Sequence, residues 1–300
     1  MKNGEYDNTG LMSAYESAEK FAKSHYENFP VVSLFLPKYL RKHVAVVYQF
    51  ARDADDLADE GLEKAEIRIQ NLESYESQLK DCLHGKFAND FWMALKNTID
   101  AYKLTPKYFS DLLSAFKQDV IKKRYENFDS VLDYCRRSAN PVGRIILELF
   151  DIRDNESVEY SDAVCTALQL TNFYQDTAID FQKNRIYIPQ NEMLEFGVSE
   201  NTFELKTGNG NFTRLLEFQV ERTQELFNKG RKLVPRLPKQ LRFQIRLTIL
   251  GGEEILKKIK STGYNVLNIR PKLSKIDYVK LFIKSTAFDG GFIQTNSKRK

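Results

Sequence analysis

Histidine and cysteine are scarce in this sequence: there are three of each in 300 residues, beside a single tryptophan. Cys82, Cys135 and Cys165 lie far apart and form no CxxC pair. That excludes a disulfide framework and a zinc finger, and the three read as reduced, mostly buried thiols of a cytoplasmic protein. His25, His43 and His84 have no metal-ligand spacing and are expected at the surface or as helix caps. No GxGxxG segment is present for a Rossmann dinucleotide site. No run of about 18 apolar residues occurs, so no transmembrane helix is expected. The opening stretch MKNGEYDNTG is polar where a secretory signal would be apolar.

What is there is an ordinary globular composition with an uneven charge. Hydrophobic residues make up 42% of the chain, enough for one large core. Net charge is only +4, yet residues 231–300 carry 17 Lys and Arg against 4 Asp and Glu. A basic C-terminal part suits an anionic surface. With no nucleic-acid signature in the chain, the expected surface is the cytoplasmic face of a membrane, touched peripherally, and no nucleic-acid partner is expected.

The apolar spacing is helical nearly throughout. Helices are expected over 11–27, 38–60, 63–83, 87–102, 106–123, 129–137, 141–151, 157–182, 211–233, 236–260 and 274–286. Pro37, Pro106 and Pro141 suit first turns, and Gly61 suits a stop. Pro235 and Pro238 mark a turn, and 200–211 reads as a surface loop. Convincing strand alternation is scarce; Arg185-Ile186-Tyr187-Ile188-Pro189 is short and closed by proline. The expected fold class is all-α, a single-domain helical bundle over 11–285 around a central cavity, with flexible ends at 1–10 and 286–300.

Two acidic segments carry the chemistry. In Tyr48-Gln-Phe-Ala-Arg52-Asp-Ala-Asp55-Asp56-Leu-Ala-Asp59-Glu60, a turn of about 100° per residue puts Tyr48, Arg52, Asp55 and Asp59 within about 60° of one another, with Asp56 at the edge. Phe50, Ala54, Leu57 and Ala58 fall on the other side, toward a core. In the segment 169–180, Asn172, Asp176 and Asp180 step along one face at i, i+4, i+8, joined by Gln169, within otherwise apolar sequence. A carboxylate stripe alone is usually a solvated face. Two of them, one embedded in apolar residues, point to a bound cation, because buried carboxylates are costly unless paired. An oxygen-only donor set selects a hard ion such as Mg²⁺, which takes one or two carboxylates and completes its shell with water and phosphate. Two facing Asp helices would then clamp a diphosphate, and its departure leaves a carbocation. Such a cation needs a dry, aromatic pocket; Phe29, Tyr48, Tyr134, Phe173 and Tyr174 adjoin the stripes.

These paired motifs, with Arg185-Ile-Tyr-Ile-Pro189 after them, resemble the squalene/phytoene synthase family over roughly residues 20–285. The resemblance implies an all-α isoprenoid-synthase fold and an enzyme acting on a prenyl diphosphate through two or three Mg²⁺ ions that bridge the diphosphate. By position, Asp55, Asp56 and Asp59 match the first aspartate motif of the family, and Asn172, Asp176 and Asp180 the second. Tyr48 and Arg52 match residues lining the diphosphate site, and Tyr134 the tyrosine before a glycine-containing turn. Arg270 matches a C-terminal arginine that reaches diphosphate, and Arg185 lies just past the second motif. Arg136 and Arg137 either reach diphosphate or are solvated.

Two departures narrow the resemblance. Gln175 stands where many members that condense two diphosphates have arginine, and Tyr26-Glu-Asn-Phe29 replaces a Ser-Lys. Both remove positive charge. The segments ENFPV, FARDADDLADE and NFYQD look like the hydroxysqualene synthase subfamily, whose members ionise presqualene diphosphate and quench the cation with water. Gln175, Gln169 and Asn172 are the candidates for placing that water. The alternatives are an NADPH-dependent squalene synthase, a phytoene or dehydrosqualene synthase and, from another class, a non-catalytic helical scaffold.

Overall fold

A computed structural model describes residues 8–24, 36–61, 63–206, 208 and 210–287. Among them every regular element is helical: α1 (Asn8–Ser24), α2 (Lys38–Asp59), α3 (Ala65–Leu83), α4 (Asp90–Tyr102), α5 (Pro106–Ile121), α6 (Phe128–Ser138), α7 (Asn140–Leu149), α8 (Asn155–Gln175), α9 (Thr177–Gln182), α10 (Gln190–Glu195), α11 (Glu200–Glu204), α12 (Gly210–Gly230), a 3₁₀ turn (Arg231–Arg236), α13 (Lys239–Ser261) and α14 (Lys275–Ala287). The expected helices are therefore present to within a few residues. Helix α1 starts before residue 11 and α14 runs past 285, so 8–10 and 286–287 are helical rather than frayed. His25 and Phe29 lie outside the described residues.

Local chemistry sets the boundaries. Pro106 opens α5 in its first turn. Asn127 Oδ1 accepts from the Ser130 amide at 2.9 Å while the Ser130 side chain returns to Asn127, a capping box for α6. Asp154 caps α8 through the Ser157 amide at 3.0 Å. Arg68 donates to the Ala58 carbonyl at 2.5 Å and the Gly61 carbonyl at 2.7 Å, satisfying carbonyls at the C-terminal end of α2 and fixing Asp59 beside them.

Two differences from the expected pattern matter. The stretch 157–182 is not one helix: it breaks at Asp176 (φ −101°, ψ 10°) between α8 and α9. The Thr177 hydroxyl donates to the Phe173 carbonyl at 2.9 Å and the Tyr174 carbonyl at 3.0 Å, competing with the backbone ladder at the point of the bend. The loop expected at 200–211 opens with the short helix α11, which buries Phe203 against Phe212.

Among the described residues the helices enclose two large apolar cores and a small third one around Leu147, Leu233, Leu237 and Leu241. One large core gathers α1 to α5 and α7 around Leu40, Phe50, Leu72, Trp92 and Phe109; the other gathers α6, α8 and α10 to α13 around Tyr134, Phe173, Phe212, Phe227 and Ile259. Helix α2 turns Phe50, Ala54 and Ala58 into the first core, as its spacing requires. Helix α8 packs along α12 in the second. The acidic stripes of α2 and of α8–α9 thus come from different halves of the molecule, and Asp119 near the end of α5 lies beside both.

His43 is a correction to the surface placement expected for it. It is only 6% exposed, with Nδ1 2.9 Å from Thr98 Oγ1 and its ring edge-on to Tyr102 at 4.7 Å. Burial, and then the charge of Lys42, push its pKa down to about 4. The folded state favours the neutral ring, so this stability is complete above the ordinary value near 6.5 and is lost as pH falls toward 4. The total is about 3 kcal/mol at about 1.4 kcal/mol per pKa unit. Urea unfolding at about pH 7 and about pH 4.5 reads it: His43→Gln should lose less stability between the two than the parent. Equal losses would remove His43 from the account.

Candidate active site

Along α2, Arg52 reaches Asp56 at 2.7 Å, Glu60 at 2.8 Å and Asp55 at 3.4 Å. Tyr48, half-buried, sits one turn before it, 6.4 Å from the Phe21 ring. Asp56 together with Asp53 lines a shallow groove against α3 with Tyr75 and Gln78. Asp59 instead faces the second half of the molecule, and Asp55 lies close enough to Asp59 and Asp119 for their charges to interact. Asp59 holds Arg185 at 2.5 Å and Lys183 at 2.8 Å. Asp59 is thus tied through two cations to the segment just after the second motif, whereas Asp56 turns toward α3.

The second stripe opens to solvent more than its apolar surroundings led us to expect. Asn172 is exposed, and Asp176 and Asp180 are half-buried. Arg270 grips Asp176 with two bonds, 2.5 Å from Nε and 3.0 Å from Nη2. Gln175 donates through Nε2 to the Pro271 carbonyl at 2.6 Å, so its amide braces the segment that carries Arg270. Gln169 is half-buried on the same helix.

Between the stripes lies an arrangement that the sequence reading missed. Asp119, 7% exposed, accepts hydrogen bonds from Tyr134 and, at 2.9 Å, from Tyr187. Tyr187 stacks on Phe173 with centroids 3.8 Å apart and planes within 5°, and Tyr134 leans against both at 5.7 and 5.9 Å. Phe173, Tyr187, Asp180, Arg185 and Phe203 line a void of about 10 Å³, about the room one water needs. Tyr174, grouped with these aromatics on sequence, points elsewhere: it is 2% exposed, and its hydroxyl accepts from Thr223 at 3.4 Å in the second core. Arg136 and Arg137 pair with Asp133, away from the carboxylates of the stripes.

A signal for Asp119 was present. It is the one acid on α5's buried face, in register with Leu112, Ala115 and Phe109. Tyr187 belongs to the Arg185–Pro189 stretch and Lys183 falls just before it, but no spacing rule relates either to α2.

The electrostatics are those of an anionic centre partly neutralised by its own cations. Burial, then Asp59, push the Asp55 carboxyl up to about 6 against the pull of Arg52. Burial, then Asp176, push Asp180 up to about 7 against Arg185 and Lys183. Burial raises Asp119 too, with Arg185 and the two phenols opposing it. At Asp59 burial also acts upward, but hydrogen bonds and charge from Arg185 and Lys183 outweigh it and hold the group near 2. Five carboxylates whose charges interact, supplied only with oxygen ligands, fit a hard divalent cation. Among the described residues no three His, Cys, Asp or Glu side chains already converge on one point. Arg52 Nε and Arg185 Nε are buried without a hydrogen-bond partner, two donors ready for an anion.

Comparison with known proteins gives the family and the fold. A sequence profile described as squalene/phytoene synthase matches residues 22–277. The chain belongs to the squalene/phytoene synthase family, and it is an enzyme. It is 32% identical over 238 residues to a hydroxysqualene synthase of Sinorhizobium fredii, covering 78% of this chain and 80% of that protein. It is 25% identical over 272 residues to a 15-cis-phytoene synthase of Synechococcus elongatus, covering 87% and 88%. Among solved structures it superposes on squalene synthase HpnC from Alicyclobacillus acidocaldarius with a TM-score of 0.81 and 38% identity, over 86% of this chain and 97% of that one. An all-α isoprenoid-synthase fold is therefore shared along nearly the whole chain. No described helix is long and apolar enough to cross a membrane.

Proposed function

We propose that the enzyme converts presqualene diphosphate to hydroxysqualene, in Mg²⁺-dependent fashion, as a step toward squalene and hopanoids. The observation that carries this reading is the set of interacting carboxylates Asp55, Asp59, Asp119, Asp176 and Asp180, with Asp180 lining the same void as the stacked rings of Phe173 and Tyr187. The similarity to hydroxysqualene synthases and the uncharged Gln175 support it over condensation of two diphosphates. The second reading, two-substrate condensation, draws on a dehydrosqualene synthase structure that superposes with a TM-score of 0.84 at 25% identity.

Asp55, Asp59, Asn172, Asp176 and Asp180 would hold Mg²⁺, and its positive charge would offset the charge of the diphosphate leaving with the electron pair of the C–O bond. Asp56 is the motif member left to tether Arg52. Arg52, Arg185 and Arg270 are already aimed by their ion pairs and would exchange carboxylate for diphosphate contact. The cyclopropylcarbinyl cation left behind faces the π systems of Phe173, Tyr187 and Tyr134, which stabilise positive charge without donating a nucleophile. Tyr48 closes the diphosphate end beside Arg52. Ring opening follows, a water oxygen bonds the rearranged cation, and its proton goes to solvent. Running the reaction in heavy-oxygen water tests that last step: the label should appear in the product's hydroxyl, and an unlabelled alcohol or a hydrocarbon would sink it.

Gln175→Leu separates water placement from bracing. The bond to Pro271 makes bracing of Arg270 the expected role, so KM should rise by about tenfold, the worth of a hydrogen bond beside a charged group, with the alcohol share of product unchanged. A fall in the alcohol share would instead give Gln175 the water.

A further inference from the structure

The C-terminal helix α14 is docked by one face only. Its start is a reciprocal cap: the Ser274 amide and hydroxyl both donate to Asp277 Oδ2 at 2.7 Å, and the Asp277 amide returns to Ser274 Oγ at 3.2 Å. Lys258 of α13 fixes Asp277 at 2.9 Å, Leu281 and Ser285 are buried, and Arg246 donates to the Ser285 carbonyl at 2.6 Å. The opposite face is apolar and in water: Ile276 is 66% exposed, Val279 59% and Ile283 59%. These three recur at i, i+3, i+7, which makes a continuous stripe on one side of the helix. Phe282, 43% exposed and edge-on to Phe243 at 5.4 Å, extends it. Lys280 and Lys284, both exposed, follow along its border.

We infer that this stripe is a membrane-docking surface for a bilayer bearing anionic headgroups, on which α14 lies in the interfacial plane. An exposed apolar stripe of this size is costly unless covered. Its border and surroundings choose the cover. A stripe edged by lysines, in a segment with 17 Lys and Arg against 4 Asp and Glu, complements anionic lipid, where apolar insertion and charge attraction add. The same surface would make a poor self-interface, because two copies would bring like charges together. The position of α14 gives the docking a use, and this clause alone rests on the proposed reaction. Only Pro271-Lys-Leu-Ser274 separates α14 from Arg270, which grips Asp176 of the site. A bilayer under α14 therefore keeps a lipid-soluble substrate and product close to the diphosphate end.

The test needs no substrate, so it stands or falls apart from the reaction. The whole protein is sedimented with vesicles of phosphatidylcholine alone or of equal parts phosphatidylcholine and phosphatidylglycerol. Binding to the anionic vesicles, falling with added salt, is the expected result. The triple variant I276S/V279S/I283S should lose about tenfold or more in vesicle affinity, and K280Q/K284Q about fivefold per lysine, with unchanged helical content by circular dichroism. Absence of binding by the parent protein would overturn the inference, as would undiminished binding by both variants. So would light scattering that finds a dimer which the triple variant dissolves, since the stripe would then cover itself. The single variant I276S, checked in the same way, keeps the test decisive if the triple variant misfolds.

Discussion

Asp119→Asn should lower kcat by about a hundredfold while leaving KM within a few-fold and the melting temperature within a few degrees. The carboxylate accepts from both Tyr134 and Tyr187 and so sets the tilt of two of the three rings facing the site. An asparagine presents one acceptor and an NH₂ group, and the latter cannot accept from a phenol. One phenol must then reverse its hydrogen bond, accepting from the NH₂ group, and resettle, and displacement of groups around a reacting centre by about 1 Å costs on the order of 10² in rate. Stability moves little because two effects oppose. Burial already works against the Asp119 charge, so removing that charge recovers solvation, while the hydrogen bonds to the phenols weaken. Asp119 acts through the tyrosines, as a positioning residue. Tyr134→Phe and Tyr187→Phe should therefore each lose part of the same effect, and combining either with Asp119→Asn should add less than the separate losses predict. Full additivity in steady-state kinetics would show that Asp119 does something of its own.

Asp180→Asn should raise stability and cost still more in rate. In the Mg²⁺-free protein its carboxyl is pushed up to about 7 by burial and by Asp176. A carboxyl whose folded pKa lies above its unfolded value of about 4 favours the fold below that value, and the advantage is lost as pH rises through 7. At neutral pH the charge is a burden, and the amide relieves it. The expected result is a melting temperature higher by about 2 °C or more without Mg²⁺, with turnover down by about 10²–10³-fold. Mg²⁺ should then stabilise the parent more than the variant in the presence of a prenyl thiodiphosphate. A variant less stable than the parent in metal-free buffer would mean that the carboxylate is paired in some other way.

Much of this site could be read along the chain because helical spacing is short-range information. Tyr48, Arg52, Asp55 and Asp59 share a face by arithmetic, and the structure keeps them there. The same arithmetic could not separate Asp55 from Asp56. The side toward which Asp56 turns depends on where α3 packs, and that is set by Leu72 and Leu79 in a different helix. The break at Asp176 was hidden because it comes from the hydroxyl of Thr177, a residue that many helices tolerate. Asp119 and Tyr187 were missed for a related reason: they are 68 residues apart, and only the tertiary fold sets Tyr187 on Asp119. His43 reads as a surface residue until Tyr15 and Thr98, from two other helices, close over it.

The choice of substrate is the central claim, and a product assay tests it most directly. The purified enzyme with Mg²⁺ is given presqualene diphosphate or farnesyl diphosphate, each with and without NADPH. Hydroxysqualene from presqualene diphosphate without NADPH, and no C30 product from farnesyl diphosphate, is the result expected of a site with Gln175 in place of a second cation. Squalene that appears only with NADPH, or any C30 product from farnesyl diphosphate alone, would contradict it.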